Sequence, residues 1–229
     1  MDAYVVSDVR FDPDYAEIGK EILLEAYPEL EHEVRDLLAQ SAAVARPKAI
    51  YRIVRVGDHD GAAVWIGEQR FESEALRENL EDIDDVIAYV ATCGVELDAI
   101  DLSSYDPISE YWISVIKEHA LRAVTSTLYE TIERRHGRIG LSQMNPGSAN
   151  VDVWPIAQQS QLFALFEDGA AGIGVRLTES HLMIPDKSVS GVLFESASGY
   201  VNCQACDREY CPDRRAPFVE TPAARVNRP

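Results

Sequence analysis

With 229 residues, 46% of them apolar, the chain is long enough to bury a substantial core as one large domain or two small ones. Acidic residues outnumber basic residues by 39 to 21, and the formal net charge of −18 disfavours nucleic acid as a partner, because phosphate binding requires clustered Lys and Arg. No apolar run approaches the roughly 18 to 20 residues that cross a bilayer, and the N-terminus lacks the basic and apolar regions of a signal peptide, so we expect a cytoplasmic protein without a membrane span.

The first 46 residues are predicted to form an N-terminal helical segment. Apolar side chains recur at helical spacing over residues 15–40. The pattern is interrupted at Tyr27-Pro28. Because the residue before a proline disfavours the helical conformation, two short helices are expected.

Strand patterns follow this segment. Apolar runs over residues 50–56 and 62–66 flank a polar turn at 58–61, which predicts a β-hairpin. A helix over residues 73–80 and a β-rich run over residues 85–92 are expected next.

The longest helical pattern runs over residues 107–135, where an apolar stripe predicts the spine of the core. A polar, glycine-bearing loop over residues 137–150 precedes a short helix over residues 155–166, which begins at a proline, a residue favoured at the first helical position. Further strands are expected over residues 173–177, 182–184, 189–195 and 200–203. Since strands and helices mix without a regular βαβ rhythm, the predicted fold class is α+β with a mostly antiparallel sheet.

The four cysteines are candidate ligands of one metal site. Cys203, Cys206 and Cys211 form a C-x2-C-x4-C run, and Cys93 follows the strand pattern that ends at residue 92. Thiolates bind Zn²⁺ and iron–sulfur clusters, and the spacing does not choose between them. The alternatives are unligated thiols or a disulfide, which would need an oxidising compartment. No nucleophile elbow or cysteine–histidine pair is found, so no catalytic residue is predicted.

Several blocks of residues 85–200 resemble the activation domain of cobalamin-dependent methionine synthase. The blocks are Asn145-Pro146-Gly147, Trp154-Pro155, Leu-Phe-Ala-Leu-Phe at 162–166, Ile-Gly-Val-Arg-Leu-Thr-Glu-Ser at 173–180, Met183-Ile184-Pro185 and Lys-Ser-Val-Ser-Gly at 187–191. The resemblance implies an α+β domain over residues 47–220, with a mostly antiparallel curved sheet, flanking helices and the cysteine motif at 203–211. Residues 221–229 are expected to be a disordered tail.

The same resemblance implies a repair function in methionine biosynthesis. In that family, the activation domain presents S-adenosylmethionine for reductive methylation of an oxidised cobalt cofactor, and a flavodoxin or ferredoxin supplies the electron. The cofactor carries the difficult chemistry while the protein provides orientation. We expect this chain to act in trans on a corrinoid protein or a cobalamin-dependent methyltransferase, because 229 residues leave no room for a methyltransferase barrel and a cobalamin domain.

The ligand residues of the family carry over in part. The family's adenosylmethionine loop has an Arg, two residues and then Pro-Gly-Tyr; here Gln143 replaces the Arg and Ser148 replaces the Tyr, around a retained Pro146-Gly147. An Arg in this place can pair with the ligand's carboxylate. The residues that the resemblance places in the ligand site are Gln143, Asn145, Gly147, Ser148, Arg176, Glu179 and Tyr200.

A second function stays open at this point. The chain is then an iron–sulfur or zinc-binding redox or docking partner of a corrinoid protein that does not bind S-adenosylmethionine. In this alternative Cys93, Cys203, Cys206 and Cys211 hold the metal.

Overall fold

The computed structural model describes residues 2–148, 153–196, 199–211 and 214–219, and the expected disordered tail at 221–229 lies outside them. Within these residues one large antiparallel sheet has the strand order β4-β3-β2-β5-β9-β6, and β1 pairs with β2 at one side. A small hairpin pairs β7 with β8. The strands are β1 (Tyr4–Val6), β2 (Lys48–Asp60), β3 (Ala63–Ile66), β4 (Gln69–Glu72), β5 (Asp85–Thr92), β6 (Ser142–Met144), β7 (Arg176–Leu177), β8 (Met183–Ile184) and β9 (Ser188–Phe194).

Helices flank the sheet, and the predicted α+β class is confirmed. They are α1 (Tyr15–Glu21), α2 (Glu31–Val44), α3 (Glu74–Asn79), α4 (Ser109–His136), α5 (Gln159–Ala164) and α6 (Gly169–Gly172). The expected break at Tyr27-Pro28 is present as two 3₁₀ turns between α1 and α2. Ser73 begins α3, because its hydroxyl accepts the backbone N–H of Leu76 at 2.9 Å. None of the described helices is long and apolar enough to cross a membrane.

Three short strands, β1, β4 and β6, were not expected from the sequence. Each has only three or four residues, too few for the alternating pattern that marks a strand. The strand expected at 200–203 was also wrong, because Asn202–Ala205 forms a 3₁₀ turn in which the backbone N–H of Gln204 bonds the carbonyl of Val201 at 2.8 Å.

Successive side chains of each strand point to opposite faces of the sheet, so the core is divided between the two faces. On the α4 face, side chains of β2, β5 and β9 pack against the C-terminal half of α4. The opposite face is covered by α3, α5, α6 and the segment around Trp154. The residues of the α4 face include Tyr51, Tyr89, Val124, Leu128, Ile132 and Leu193, and those of the opposite face include Val54, Phe71, Val90, Leu162, Val192 and Phe194.

A third cluster joins the N-terminal segment to the rest of the chain. The N-terminal half of α4 packs against α1 and α2 around buried Trp112, with Ile18 and Leu37 among the neighbours. In addition, β1 pairs with β2 in the register Tyr4 to Tyr51. The N-terminal segment therefore shares both the sheet and the core with the following residues.

Candidate functional site

The candidate site lies where strand β9 meets the edge strand β6. In the β5–β9 register Tyr89 lies directly opposite Gly191. Opposite residues project from the same face of a sheet, so the tyrosine lies beside a position that has no side chain. A Cβ at Gly191 would approach the backbone oxygen of Met144 to 2.3 Å and Nδ2 of Asn145 to 2.5 Å. Glycine at this position therefore leaves the space that Asn145 occupies.

Asn145 follows β6 and is buried at the centre of a polar network. Its Nδ2 donates to the hydroxyl of Tyr89 and to the backbone oxygen of Ser190, both at 2.8 Å. Its Oδ1 accepts from Nε2 of Gln143 at 2.8 Å and from Nδ2 of Asn202 at 2.7 Å. The amide thus uses its two donors and both acceptor lone pairs, which fixes its orientation.

Gln143, on β6, connects this network to helix α4. Its Oε1 accepts from the hydroxyl of Tyr129 at 3.0 Å, and its Nε2 donates to the hydroxyl of Tyr89 at 2.8 Å. We call Tyr89, Tyr129, Gln143, Asn145 and Asn202 the edge network. Gln143 carries no charge, so the edge network itself provides hydrogen-bond donors and acceptors but no cation.

The turn after Asn145 is held in a conformation that requires glycine. Gly147 has φ of 75°, and its N–H bonds the carbonyl of Trp154 at 2.8 Å. A Cβ at this position would approach Cδ1 of Ile156 to 2.8 Å. The N–H of Ser148 bonds the carbonyl of Asn145 at 3.1 Å. Gly147 and Ser148 therefore lie beside the edge network, and their contact with a ligand stays a prediction.

The C-terminal segment, of which residues 199–211 and 214–219 are described, contacts both faces of the sheet at the β6 edge. Asn202 reaches the edge network, while Tyr200 and Ala205 pack against the opposite face of the sheet. Burial raises the pKa of Tyr89 and Tyr129, and the positive charge of nearby Arg215 opposes both shifts. Both phenols stay protonated donors at neutral pH, and Arg215 places a cation close to them.

Two buried polar atoms beside this edge lack a hydrogen-bond partner among the described residues. They are Nε1 of Trp154, a side chain with no exposed surface, and the hydroxyl of Tyr200. Burial also raises the pKa of Tyr200 to about 12. An unsatisfied buried donor costs about 1–3 kcal/mol, so a polar partner that reached either atom would lower the free energy.

Arg176 and Glu179 lie outside the edge network. Both are exposed, Arg176 on β7 and Glu179 in the turn that follows it. The hairpin is connected to the sheet through Gln159, which donates to the carbonyl of His181 at 3.1 Å and accepts from the hydroxyl of Ser190 at 3.2 Å. Among the described residues no hydrogen bond joins Arg176 or Glu179 to the edge network, and their contact with a ligand stays a prediction.

The sequence-based reasoning missed Tyr89, Tyr129, Ser190 and Asn202. Tyr89 and Tyr129 read as ordinary core positions of a strand and of a helical stripe. The pairing of Tyr89 with Gly191 depends on the register of two strands about a hundred residues apart in the chain. The glycine after a strand-like Ser-Val-Ser run was the available signal, since glycine inside a strand marks a close approach.

The four cysteines do not meet. Cys93 is fully buried in the helical cluster around Trp112, where burial raises the pKa of its thiol to about 12. Cys203, Cys206 and Cys211 are half-buried in the C-terminal segment, and Ala205 between them packs on the opposite face of the sheet. Within the described ranges no three His, Cys, Asp or Glu side chains are arranged to hold a metal ion. The expected iron–sulfur or zinc site at Cys93, Cys203, Cys206 and Cys211 stays a prediction.

Comparisons with known proteins give a family match for part of the chain and a match of the fold. Residues 153–216 match the family described as vitamin B12 dependent methionine synthase, activation domain. A solved structure of the MetH reactivation domain bound to AdoHcy superposes with a TM-score of 0.61 at 15% identity, covering 85% of this chain and 78% of that chain. No curated protein sequence matches. At this identity the superposition establishes the fold, and the matched segment includes Trp154, Tyr200, Asn202 and Arg215 of the site. Residues 153–216 therefore carry the sequence pattern of the activation domain of vitamin B12 dependent methionine synthase, and the chain has the fold of the MetH reactivation domain.

Proposed function

We propose that the chain is an accessory protein that binds S-adenosylmethionine at the β6 edge and supports reductive reactivation of a cobalt cofactor held by a corrinoid protein. The family match over residues 153–216 supports the role in cobalamin reactivation. The observation that carries the ligand site is the pair of buried atoms without a partner among the described residues, Trp154 Nε1 and Tyr200 OH, which lie with Met144 of β6 in the cluster on the sheet face opposite the edge network. S-adenosylmethionine would supply the methyl group, and a flavodoxin or ferredoxin would supply the electron.

The chemistry of the ligand matches the donors at this edge. Its adenine and ribose present nitrogen and oxygen acceptors, which the indole N–H of Trp154 and the phenol of Tyr200 can satisfy. Gly147 allows backbone to approach the ligand, because it has no side chain and a positive φ. Gln143 and Ser148 contribute neutral polar groups where the family has an Arg and a Tyr.

The carboxylate of S-adenosylmethionine is stabilised by a cation, and Arg215 of the C-terminal segment is the candidate. Its charge acts on both Tyr89 and Tyr129, and its side chain is exposed. A guanidinium pairs with a carboxylate through two parallel hydrogen bonds. Arg215 therefore replaces, from the C-terminal segment, the charge that Gln143 lacks.

Calorimetry with AdoHcy and S-adenosylmethionine tests the ligand site. Arg215→Ala should weaken the binding of both by about tenfold, since a hydrogen bond to a charged group contributes about 1.5–3 kcal/mol. The affinity for adenosine, which lacks the carboxylate, should not change. Trp154→Phe should weaken all three ligands, because it removes the indole N–H and keeps an aromatic ring.

The control is Arg208→Ala, which removes an exposed arginine from the same segment and should leave the affinity unchanged. Absence of binding heat at about 1 mM ligand, where binding is worth about −4 kcal/mol, would remove the adenosyl-ligand function. The alternative of a partner that does not bind S-adenosylmethionine would then stand. If Arg215→Ala and Arg208→Ala lose the same amount of affinity for these ligands, only the assignment of Arg215 as the carboxylate partner would be wrong.

Reactivation itself is expected to require all the reactants together. A corrinoid protein with oxidised cobalt, a one-electron reductant, S-adenosylmethionine and this chain should yield the methylated cofactor, which is followed by its visible absorbance. Omitting the chain should slow the reaction by at least about tenfold, because orientation of the two reactants is lost. Equal rates with and without the chain would contradict the accessory role.

A further inference from the structure

The guanidinium of Arg214 contacts the backbone of two of the C-terminal cysteines. Nη1 of Arg214 lies 3.3 Å from the carbonyl oxygen of Cys203 and 3.4 Å from those of Cys206 and Ala216. The backbone N–H of Arg214 also bonds the carbonyl of Cys211 at 3.3 Å. Because the donors of a guanidinium point in fixed directions, these bonds hold the backbone of the cysteine segment in one conformation.

Cys203 and Cys206 lie one 3₁₀ turn apart. The backbone N–H of Cys206 bonds the carbonyl of Cys203 at 3.3 Å, at the end of the turn Asn202–Ala205. In a 3₁₀ helix, residues i and i+3 are on the same side and about 6 Å apart along the axis. A disulfide joins Cα atoms that are about 4.4–6.8 Å apart. The turn therefore brings the backbone of Cys203 and Cys206 into the range of Cα separations that a disulfide joins.

The two thiols differ in their surroundings. The backbone N–H of Arg215 donates to Sγ of Cys203 at 3.4 Å, and the guanidinium of Arg215 adds a positive charge nearby. A donated N–H and a nearby guanidinium are the surroundings in which a cysteine sulfur acts as a nucleophile. Among the described contacts, no N–H donates to Sγ of Cys206. Cys203 is therefore the attacking sulfur of the pair.

We propose that Cys203 and Cys206 form a thiol–disulfide exchange site that is oxidised by a small disulfide such as glutathione disulfide. The thiolate of Cys203 attacks one sulfur, the glutathione S–S bond breaks, and one glutathione thiolate leaves. The thiolate of Cys206 then attacks Sγ of Cys203, forms the Cys203–Cys206 bond and releases the second glutathione. The two departing thiolates take up the two thiol protons. The protein loses two electrons, and glutathione disulfide gains them.

Mass spectrometry of the full chain tests this site. After incubation with glutathione disulfide and alkylation of the remaining thiols, we expect a Cys203–Cys206 disulfide with Cys93 and Cys211 alkylated. Cys206→Ser should trap one glutathione on Cys203. In Cys203→Ser, glutathione should add to Cys206 at least about tenfold more slowly than it adds to Cys203 in Cys206→Ser, because the activated thiol is lost. Cys211→Ser is the matched control and should still form the disulfide.

Three results would overturn the proposal. A disulfide that includes Cys211 would show a different pair, and equal glutathionylation rates in Cys203→Ser and Cys206→Ser would remove the assigned nucleophile. A third contrary result would be one zinc or iron per chain in anaerobically purified protein and no metal in Cys206→Ser. The thiols would then be ligands of a metal. None of these results depends on whether the chain binds an adenosyl ligand.

Discussion

Gly191→Ala is expected to lower the free energy of unfolding by about 3 kcal/mol, near the upper end of the usual cost of overpacking. The added Cβ would lie 2.3 Å from the backbone oxygen of Met144 on the paired strand. A backbone atom in a sheet cannot turn away as a flexible side chain does, so β6 must shift. Because the same Cβ would lie 2.5 Å from Nδ2 of Asn145, the edge network breaks as well. Urea unfolding measures the loss through a lower midpoint at an unchanged slope.

The matched control is Gly172→Ala, at the end of α6. A Cβ added there would meet no atom within 4 Å, and the backbone conformation is open to any residue. Its effect on stability should stay within about 0.5 kcal/mol. If both alanine variants unfold at the same urea concentration, the close approach of β6 to β9 is not as described. AdoHcy binding should also fall in Gly191→Ala and stay unchanged in the control.

Trp112→Ala is expected to lower the free energy of unfolding by about 3–5 kcal/mol, the usual cost of removing a large buried aromatic side chain. Trp112 is 2% exposed and lies in the cluster that joins α4 to α1 and α2. Its removal leaves a cavity between the N-terminal segment and the rest of the core. Thermal unfolding by circular dichroism, with urea unfolding, measures the loss.

The neighbouring residue provides the comparison for this experiment. Tyr111 is 50% exposed, and its hydroxyl makes one long contact of 3.5 Å with the carbonyl of Glu21. Tyr111→Ala should therefore cost less than about 1 kcal/mol. A loss of less than about 1 kcal/mol in Trp112→Ala would mean that the N-terminal helices do not pack on α4. Two separate unfolding transitions in the parent protein would also contradict the shared core.

The long periodic elements were predictable from the sequence. The run at residues 85–92 forms β5 with the same bounds, and the stripe over 107–135 forms α4 with ends shifted by one or two residues. Each has enough residues for its hydrophobic period to identify it. Strands of three residues, such as β6, cannot show a period, and β6 carries the candidate site.

Residue types and spacing identified the turn at Asn145-Pro146-Gly147, because a backbone conformation that requires glycine is visible in the local sequence. The partners of Asn145 come from β5, β9 and the C-terminal segment. Their meeting depends on strand register, which local spacing does not specify.

The cysteines also combine a feature that the local sequence predicts with one that only the tertiary structure decides. The C-x2-C spacing indicated that two thiols would lie close together, and the position of Cys93 after a strand pattern suggested that it would join them. Burial on the helical side of the core keeps Cys93 away from the C-terminal segment. The sequence by itself determined the fold class, the long elements and the chemical groups available to the site. Only the tertiary structure decided which of those groups meet, because contacts between residues distant in the chain arise from the pairing of strands and the packing of helices.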